Sequence, residues 1–288
     1  MILSLHDMGY RYADGGTALA GITLTLAARR IALLGSNGAG KTTLLLHLNG
    51  SLRPSSGGLC LDGVPARYDR AALRAWRQKV ALVLQDPDDQ LFAATVAEDV
   101  SFGPTNLGLV EAEIRSRVDT ALADMDITDL RARATHALSF GQRKRVAIAG
   151  ALAMDPEILV LDEPSAGLDS SGTEHLLRTL ERLAGRGVQI VFSTHDADLA
   201  YRFADVFVLL RAGEVVGQGA AEIVGANAQA FERAQVAPPL VPQLLQRLAT
   251  PYPELGDAKA IRSPAALLEQ LKELELTANN AARIRAGS

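Results

Sequence analysis

Cysteine is nearly missing from this chain: Cys60 is the single thiol among 288 residues, so no internal disulfide and no thiolate metal cluster can form. A lone cysteine fits a reducing compartment, and the cytoplasm is the expected home. Aromatic residues are scarce too, at 5% with one tryptophan, and the formal net charge is −4. No basic groove interleaved with aromatics is left for a phosphate backbone, so nucleic acid is not an expected partner. No uninterrupted apolar run reaches bilayer length. The opening MILSLHDMGYRY has no basic flank followed by an apolar stretch, and no leader is expected. Fixed-period repeats are missing as well. What is plentiful is ordinary core material: 48% hydrophobic and 22% charged residues describe a globular chain with room for more than one subdomain.

Short apolar runs punctuate the sequence, namely RIALLG, KVALVLQ, EILVLDEP and VQIVFSTHD. Continuous hydrophobicity is what strands buried on both faces require, so these runs predict a mainly parallel sheet in an α/β core. The segment up to about residue 30 alternates instead, ITLTL most clearly, and predicts antiparallel strands laid against that core. From about residue 88 to 155 the strand rhythm stops. There EAEIRSRVDTALADMDI sets Ile114, Val118, Ala121, Leu122 and Met125 at helical spacing, and the stretch reads as a separate helical subdomain. After VVGQGAAEIV the composition shifts to APPLVPQ, through which no sheet continues because proline lacks an N–H. A helix carrying Leu267, Leu271 and Leu274 follows. The expected organisation is a main domain over 1–235 and a small C-terminal domain over 236–288.

The densest chemistry lies in GSNGAGKTT, which fits the phosphate-loop pattern of Gly, four residues, Gly, Lys and Thr between a strand and a helix. Gly35, Gly38 and Gly40, with Ser36, Asn37 and Ala39 between them, let backbone N–H groups turn inward on a β-phosphate. The helix N-terminus adds a dipole favourable to anions. Lys41 would reach the β- and γ-phosphates, Thr42 offers a hydroxyl to Mg2+, and Thr43 completes the cradle. In EILVLDEP the run from Ile158 to Leu161 carries two acids to a strand end. Asp162 would hold the hydration shell of Mg2+ and Glu163 would polarise a water in line with the γ-phosphate, solvated turn acids being the plainer alternative. ALSFGQRKRVAIAGALA puts Ser139, Phe140, Gly141 and Gln142 at the head of a helical pattern. Ser139 there suits either an N-cap or a γ-phosphate contact. QDPDDQLF, from Gln85 to Phe92, reads by itself as a surface turn.

Taken with SAGLD at 165–169 and FSTHD at 192–196, these motifs resemble the ATP-binding cassette (ABC) ATPases over about residues 1–235. Leu138 to Gln142 stands at the family's signature, with Phe140 where the usual form has Gly. The resemblance implies a P-loop core with an antiparallel β subdomain and a helical subdomain, and an enzyme that hydrolyses ATP with Mg2+. It further implies a head-to-tail homodimer in which Ser139, Phe140, Gly141 and Gln142 complete the opposite subunit's site, and Ser165 and Asp169 form a D-loop across the interface. Glu163 would be the base, His195 would contact the γ-phosphate, and Gln85 would join Thr42 and Asp162 around Mg2+. Tyr12 would stack on adenine, with core packing beside Tyr10 as the alternative.

The longer stretch QDPDDQLFAATVAEDVSFGPTNLGL, together with GQRKRVAIAGALAM, is similar to the ATPase subunits of energy-coupling-factor (ECF) importers for cobalt and nickel. That likeness implies two membrane partners, a transmembrane coupling subunit and a substrate-binding subunit, and a place on the cytoplasmic face of the membrane. Leu91 and Phe92 would then offer apolar contact, and Asp88, Asp89, Glu98 and Asp99 would meet basic residues. Cobalt import is the expectation. Nickel import, vitamin import and a soluble, non-transport ATPase remain the alternatives, and the C-terminal domain is expected to support the dimer, with regulation of hydrolysis or simple covering of the core as its alternatives.

Overall fold

The structure, a computed structural model, describes residues 1–250, Tyr252, Leu255 and 261–286, with 277–286 described by backbone alone. Its strands are β1 (Leu3–Arg11), β2 (Thr17–Leu26), β3 (Arg30–Leu34), β4 (Ser56–Leu61), β5 (Val64–Pro65), β6 (Val80–Val83), β7 (Ile158–Leu161), β8 (Gln189–Thr194), β9 (Val206–Arg211) and β10 (Glu214–Ala220). Its helices are α1 (Lys41–Leu48), α2 (Arg70–Lys79), α3 (Val96–Asn106), α4 (Glu111–Asp124), α5 (Phe140–Leu152), α6 (Ser170–Gly185), α7 (Ala197–Phe203), α8 (Ala221–Gly225), α9 (Ala228–Ala234), α10 (Leu240–Leu248) and α11 (Pro264–Ala286).

The four apolar runs become β3, β6, β7 and β8, all parallel, in a sheet ordered β10-β9-β3-β8-β7-β6. Both faces of these strands are buried. On β3, Ile31 and Leu33 face one apolar cluster while Ala32 and Leu34 face another, and on β7 Ile158 and Val160 separate from Leu159 and Leu161 in the same way. Burial on both faces is why neither strand alternates in sequence. The second sheet, β2-β1-β4-β5, is antiparallel and covers the first of those clusters with Leu3, Leu5, Met8, Ile22, Leu24 and Leu26. Asp7, at φ 46°, forms a bulge that returns Met8 to the buried face. The hairpin of β9 and β10 extends the main sheet beyond the strands read from the apolar runs. Its outer strand is only half-buried and is interrupted by Gly217 and Gly219, which weakens its pattern.

Between β6 and β7 the chain is helical. Thr95 and Glu98 form a reciprocal capping box at the start of α3, with Glu98 accepting from the Thr95 N–H at 3.0 Å. Asp99, which the sequence places among the acids offered to a partner, is 8% exposed and accepts from the backbone N–H groups of Phe92 and Ala93, each at 2.9 Å. Those two bonds fold the turn that leads into α3, and the same carboxylate lines a hollow beside Phe92 and Phe102. α4 buries Val118, Ala121 and Leu122, as the helical spacing requires.

Beyond residue 235 the chain shares the core of the rest. Val241, Leu245, Leu255, Ile261 and Leu267 belong to the same apolar cluster as Leu159, Phe192 and Phe207. Arg262 reinforces the contact by pairing with Glu222 and lying 5.1 Å from the ring centroid of Tyr201. Because burial there is continuous with the main sheet, Leu267→Ala should destabilise the whole chain by about 2–5 kcal/mol. Urea unfolding followed by the fluorescence of Trp76, which sits on α2, should show one transition moved to lower urea; an unmoved Trp76 transition would mean that the C-terminal helices unfold separately.

Candidate functional site

The site is built where β3 stops and α1 begins. A Cβ on Gly35 would lie 2.5 Å from the carbonyl oxygen of Leu210, and one on Gly40, at φ 101°, would lie 2.8 Å from that of Ala18. Only glycine lets the loop pass so close to its neighbours. No side chain caps α1, so the N–H groups of its first turn are left facing the loop. Lys41, 7% exposed, donates to the carbonyls of Gly35 at 2.8 Å and Ser36 at 3.3 Å, and its ammonium lies 3.5 Å from Glu163 Oε1.

Neighbouring strands bring the acids to this loop. Asp162, at the end of β7 and 3% exposed, accepts from Thr42 Oγ1 at 2.7 Å and from Ser193 Oγ at 2.5 Å. Ser193 accepts in turn from the Glu163 N–H at 2.8 Å. Glu163 has φ 42°, a left-handed backbone that a non-glycine residue holds only under constraint. Its carboxylate receives the Nδ1–H of His195 at 3.1 Å. Ser36 to Thr43, Asp162, Glu163, His195, Tyr12 and Gln85 line one cleft of about 650 Å³, whereas Gly35 and Ser193 lie behind its wall.

Tyr12 stands at the cleft mouth, its hydroxyl 2.8 Å from Thr43 Oγ1 and its ring edge-on to Tyr10. Tyr10 turns away from the cleft, against His47 and the apolar cluster. His47 is fully buried, and that burial depresses its pKa although its hydrogen bond with the Thr43 carbonyl, at 2.7 Å, opposes the shift.

The residues expected to form the signature lie elsewhere. Ser139 caps α5, accepting from the Gln142 N–H at 3.3 Å while the Gln142 side chain accepts from the Ser139 N–H at 2.9 Å. Ser139, Phe140, Gly141 and Gln142 line a hollow of about 560 Å³ together with Gly167, Leu168 and Asp169, and no phosphate-loop residue reaches it. Ser165 sits in the turn after β7, its carbonyl accepting from Leu168, and Asp169 caps α6 through the Gly172 N–H at 2.6 Å.

A third hollow, of about 370 Å³, opens between the sheet and the helical stretch and is lined by Leu46, Arg77, Leu84, Phe92, Phe102 and Met154 among others. Phe92 is 64% exposed and packs edge-on against Phe102, whereas Leu91 is half-buried against the core. Asp88 pairs with Arg143 Nε at 2.8 Å, and Asp89 is exposed.

Three contributors escaped the sequence reading. Phe102 had a signal, a phenylalanine ten residues from Phe92 in a helix-forming stretch. Ser193 stands inside FSTHD, where His195 carries the more evident chemistry. Lys144 gave none: its ammonium is 1% exposed and donates to the carbonyls of Glu163 at 2.9 Å and Ala166 at 3.1 Å. Burial lowers its pKa to about 8 against the opposing pull of Glu163 and Asp162.

A family profile described as ABC transporter matches residues 19–166. The cobalt import ATP-binding protein CbiO of Rhodobacter capsulatus is 51% identical over 272 residues, 94% of this chain and 97% of its own length. This chain belongs to the ABC transporter family. Like other ABC ATPases it binds ATP and hydrolyses it. The energy-coupling factor transporter ATP-binding protein EcfA of Methanothermobacter thermautotrophicus is 44% identical, over 86% of this cassette and 80% of its own length. The structure of cbiO1 from Clostridium perfringens, described as part of the ABC transporter complex cbiONQ, superposes with a TM-score of 0.73 at 39% identity, covering 88% of this cassette and 96% of that chain.

The burial of His47 sets a pH dependence for the cassette. Its folded pKa lies below the ordinary histidine value of about 6.5, so the unfolded chain binds the extra proton first. Its share of stability is complete above that value and declines as the pH falls through it toward the lower folded pKa. Between pH 7.5 and 5.5 the wild-type chain should lose stability more steeply than His47→Gln, by up to about 1.4 kcal/mol per pH unit, as read from urea melts.

Proposed function

We propose that this ABC ATPase powers an ECF-type importer for cobalt, as a head-to-tail homodimer held to the cytoplasmic face of the membrane by a transmembrane coupling subunit and a substrate-binding subunit. The observation that carries the reading is the convergence of Thr42, Asp162, Glu163 and His195 on one phosphate loop. The likeness to CbiO over nearly the whole chain supports the choice of cobalt.

ATP would enter the 650 Å³ cleft with its adenine against Tyr12 and its phosphates under the N–H groups of Gly38 to Thr43. Lys41 would exchange its bonds to the Gly35 and Ser36 carbonyls for phosphate oxygens. The donor set suits Mg2+, since the Thr42 hydroxyl and the Asp162 carboxylate are hard oxygens 2.7 Å apart, with Gln85 lining the same cleft. Bound there, Mg2+ would neutralise charge building on the phosphates. Glu163, held between Lys41 and His195, would take the proton of the attacking water. His195 would lie beside the γ-phosphate.

Ser139, Phe140, Gly141 and Gln142 open on a different hollow from the phosphate loop, so in this reading a second copy supplies them to each site, with Ser165 and Asp169 at the same interface. The groove rimmed by Phe92 and Phe102 would receive a cytoplasmic helix of the coupling subunit, with Asp88 and Asp89 beside it for basic residues and Leu91 bracing the turn. Gln85, on the wall of the cleft, would connect this face to the bound nucleotide.

Glu163→Gln keeps the shape of the site and removes the base. Hydrolysis should fall by about 10²–10⁴-fold while ATP still binds, and tracer cobalt accumulation in cells should collapse with it. Collapse of nickel uptake alone would reassign the ion, and unchanged uptake of both would favour a vitamin importer or a soluble ATPase. Finding two kinds of ATPase polypeptide in the native complex would point to the vitamin systems. Phe92→Ala combined with Phe102→Ala should release the membrane subunits during purification of the complex; their full retention would remove the groove as the docking site.

A further inference from the structure

Among the described residues Lys144 is the most deeply buried charged side chain, at 1% exposure. An ammonium taken out of water is costly, and an apolar side chain of the same length would fill the space without that cost. The ammonium of Lys144 donates to the carbonyls of Glu163, at 2.9 Å, and Ala166, at 3.1 Å, and the ring of Phe140 lies nearby with its centroid 5.7 Å from Nζ. Both carbonyls belong to the turn that follows β7, where Glu163 is held at φ 42° and the Ala166 N–H bonds back to the Glu163 carbonyl at 3.0 Å.

A second point of attachment lies beside the first. Phe140 packs on Gly167, where an added Cβ would sit 2.5 Å from the ring. The first turns of α5 are therefore fastened to residues 163–167 both by hydrogen bonds and by close packing. Ser139 caps that same helix, and Glu163 begins that same turn.

We propose that Lys144 is a positioning residue through which α5 sets the orientation of Glu163 in its own chain, so that ATP gripped by Ser139 and Gln142 for one site readies the carboxylate of the other. The proposal rests on the head-to-tail dimer described above. Lys144 touches no phosphate; it acts through the main chain. A shift of α5 toward the opposite subunit's nucleotide moves the Lys144 ammonium, the Glu163 carbonyl follows, and the peptide plane between Glu163 and Pro164 turns the carboxylate relative to His195. The two sites are thereby coupled in free energy.

The test compares full-length wild type with Lys144→Met, which keeps most of the unbranched side chain and removes every N–H donor. With Lys144→Met, kcat should fall by about tenfold or more and KM for ATP should stay within about twofold. The Hill coefficient for ATP should drop from above one in the wild type to one. The melting temperature should fall only modestly, because the cost of burying the ammonium is removed together with its two hydrogen bonds. If Lys144→Met does not fold, Lys144→Gln is measured in the same way, and a loss of cooperativity at unchanged KM again supports the proposal. Unchanged kcat and Hill coefficient overturn it, as does a loss of activity matched by a loss of folded protein. ATP-driven dimerisation of Glu163→Gln, followed by size exclusion, separates the two layers: no dimer overturns the head-to-tail reading and this proposal together, whereas a dimer with cooperativity intact in Lys144→Met overturns this proposal alone.

Discussion

Asp162 is 3% exposed and ionisable, and a carboxylate in such a place must have its oxygens supplied with donors. One oxygen takes the Thr42 hydroxyl at the start of α1 and the other takes the Ser193 hydroxyl on β8, while its own N–H donates to the carbonyl of Val83 at the end of β6. Three elements that are far apart in sequence are thereby held at one point on the carboxyl edge of the sheet. The order β3-β8-β7-β6 makes this possible, because it sets the strand before the phosphate loop beside β8 and β8 beside the strand bearing the acids. In open α/β sheets that edge is where ligands bind. Everything else in the cleft takes its place from this arrangement.

Around that point the charges are arranged as alternating signs in little water. Lys41 stands 3.5 Å from one face of Glu163, and Lys144 holds its carbonyl from behind at 2.9 Å. Two ammoniums beside two carboxylates make a nearly neutral cluster, so each charge lowers the cost of burying its neighbours. For Lys144 burial outweighs the pull of the neighbouring carboxylates and lowers its pKa to about 8.

The parts that were legible in the sequence were local in their physics. A phosphate loop is one contiguous turn whose glycines are needed at fixed spacing, so nine residues carry it. Buried parallel strands announce themselves by apolar runs, and α4 by its spacing. What the sequence hid was set by neighbours distant along the chain. Asp99 looked like one more exposed acid of the stretch that begins at Gln85, but two backbone N–H groups of the preceding turn claim it. Phe102 becomes part of a surface only because Phe92 folds onto it. Lys144 sits between Arg143 and Arg145, and only the rotation of α5 makes it the one among the three that is fully enclosed. The composition break near residue 235 was real, yet apolar packing runs across it through Val241 and Leu267. Composition reports the chain's local chemistry, whereas burial depends on what the chain returns to.

The alternation of β3 and β7 between two apolar clusters divides the molecule into two chambers with a shared wall. Ile31 and Ala32 are consecutive residues that belong to different packing problems, one solved with the antiparallel sheet and the other with the helices. Substitutions lining opposite chambers have few partners in common and should combine nearly additively. The wall strands themselves answer to both sides at once. Such a partition lets a substitution on the helical side be absorbed there without disturbing the packing beneath the phosphate loop.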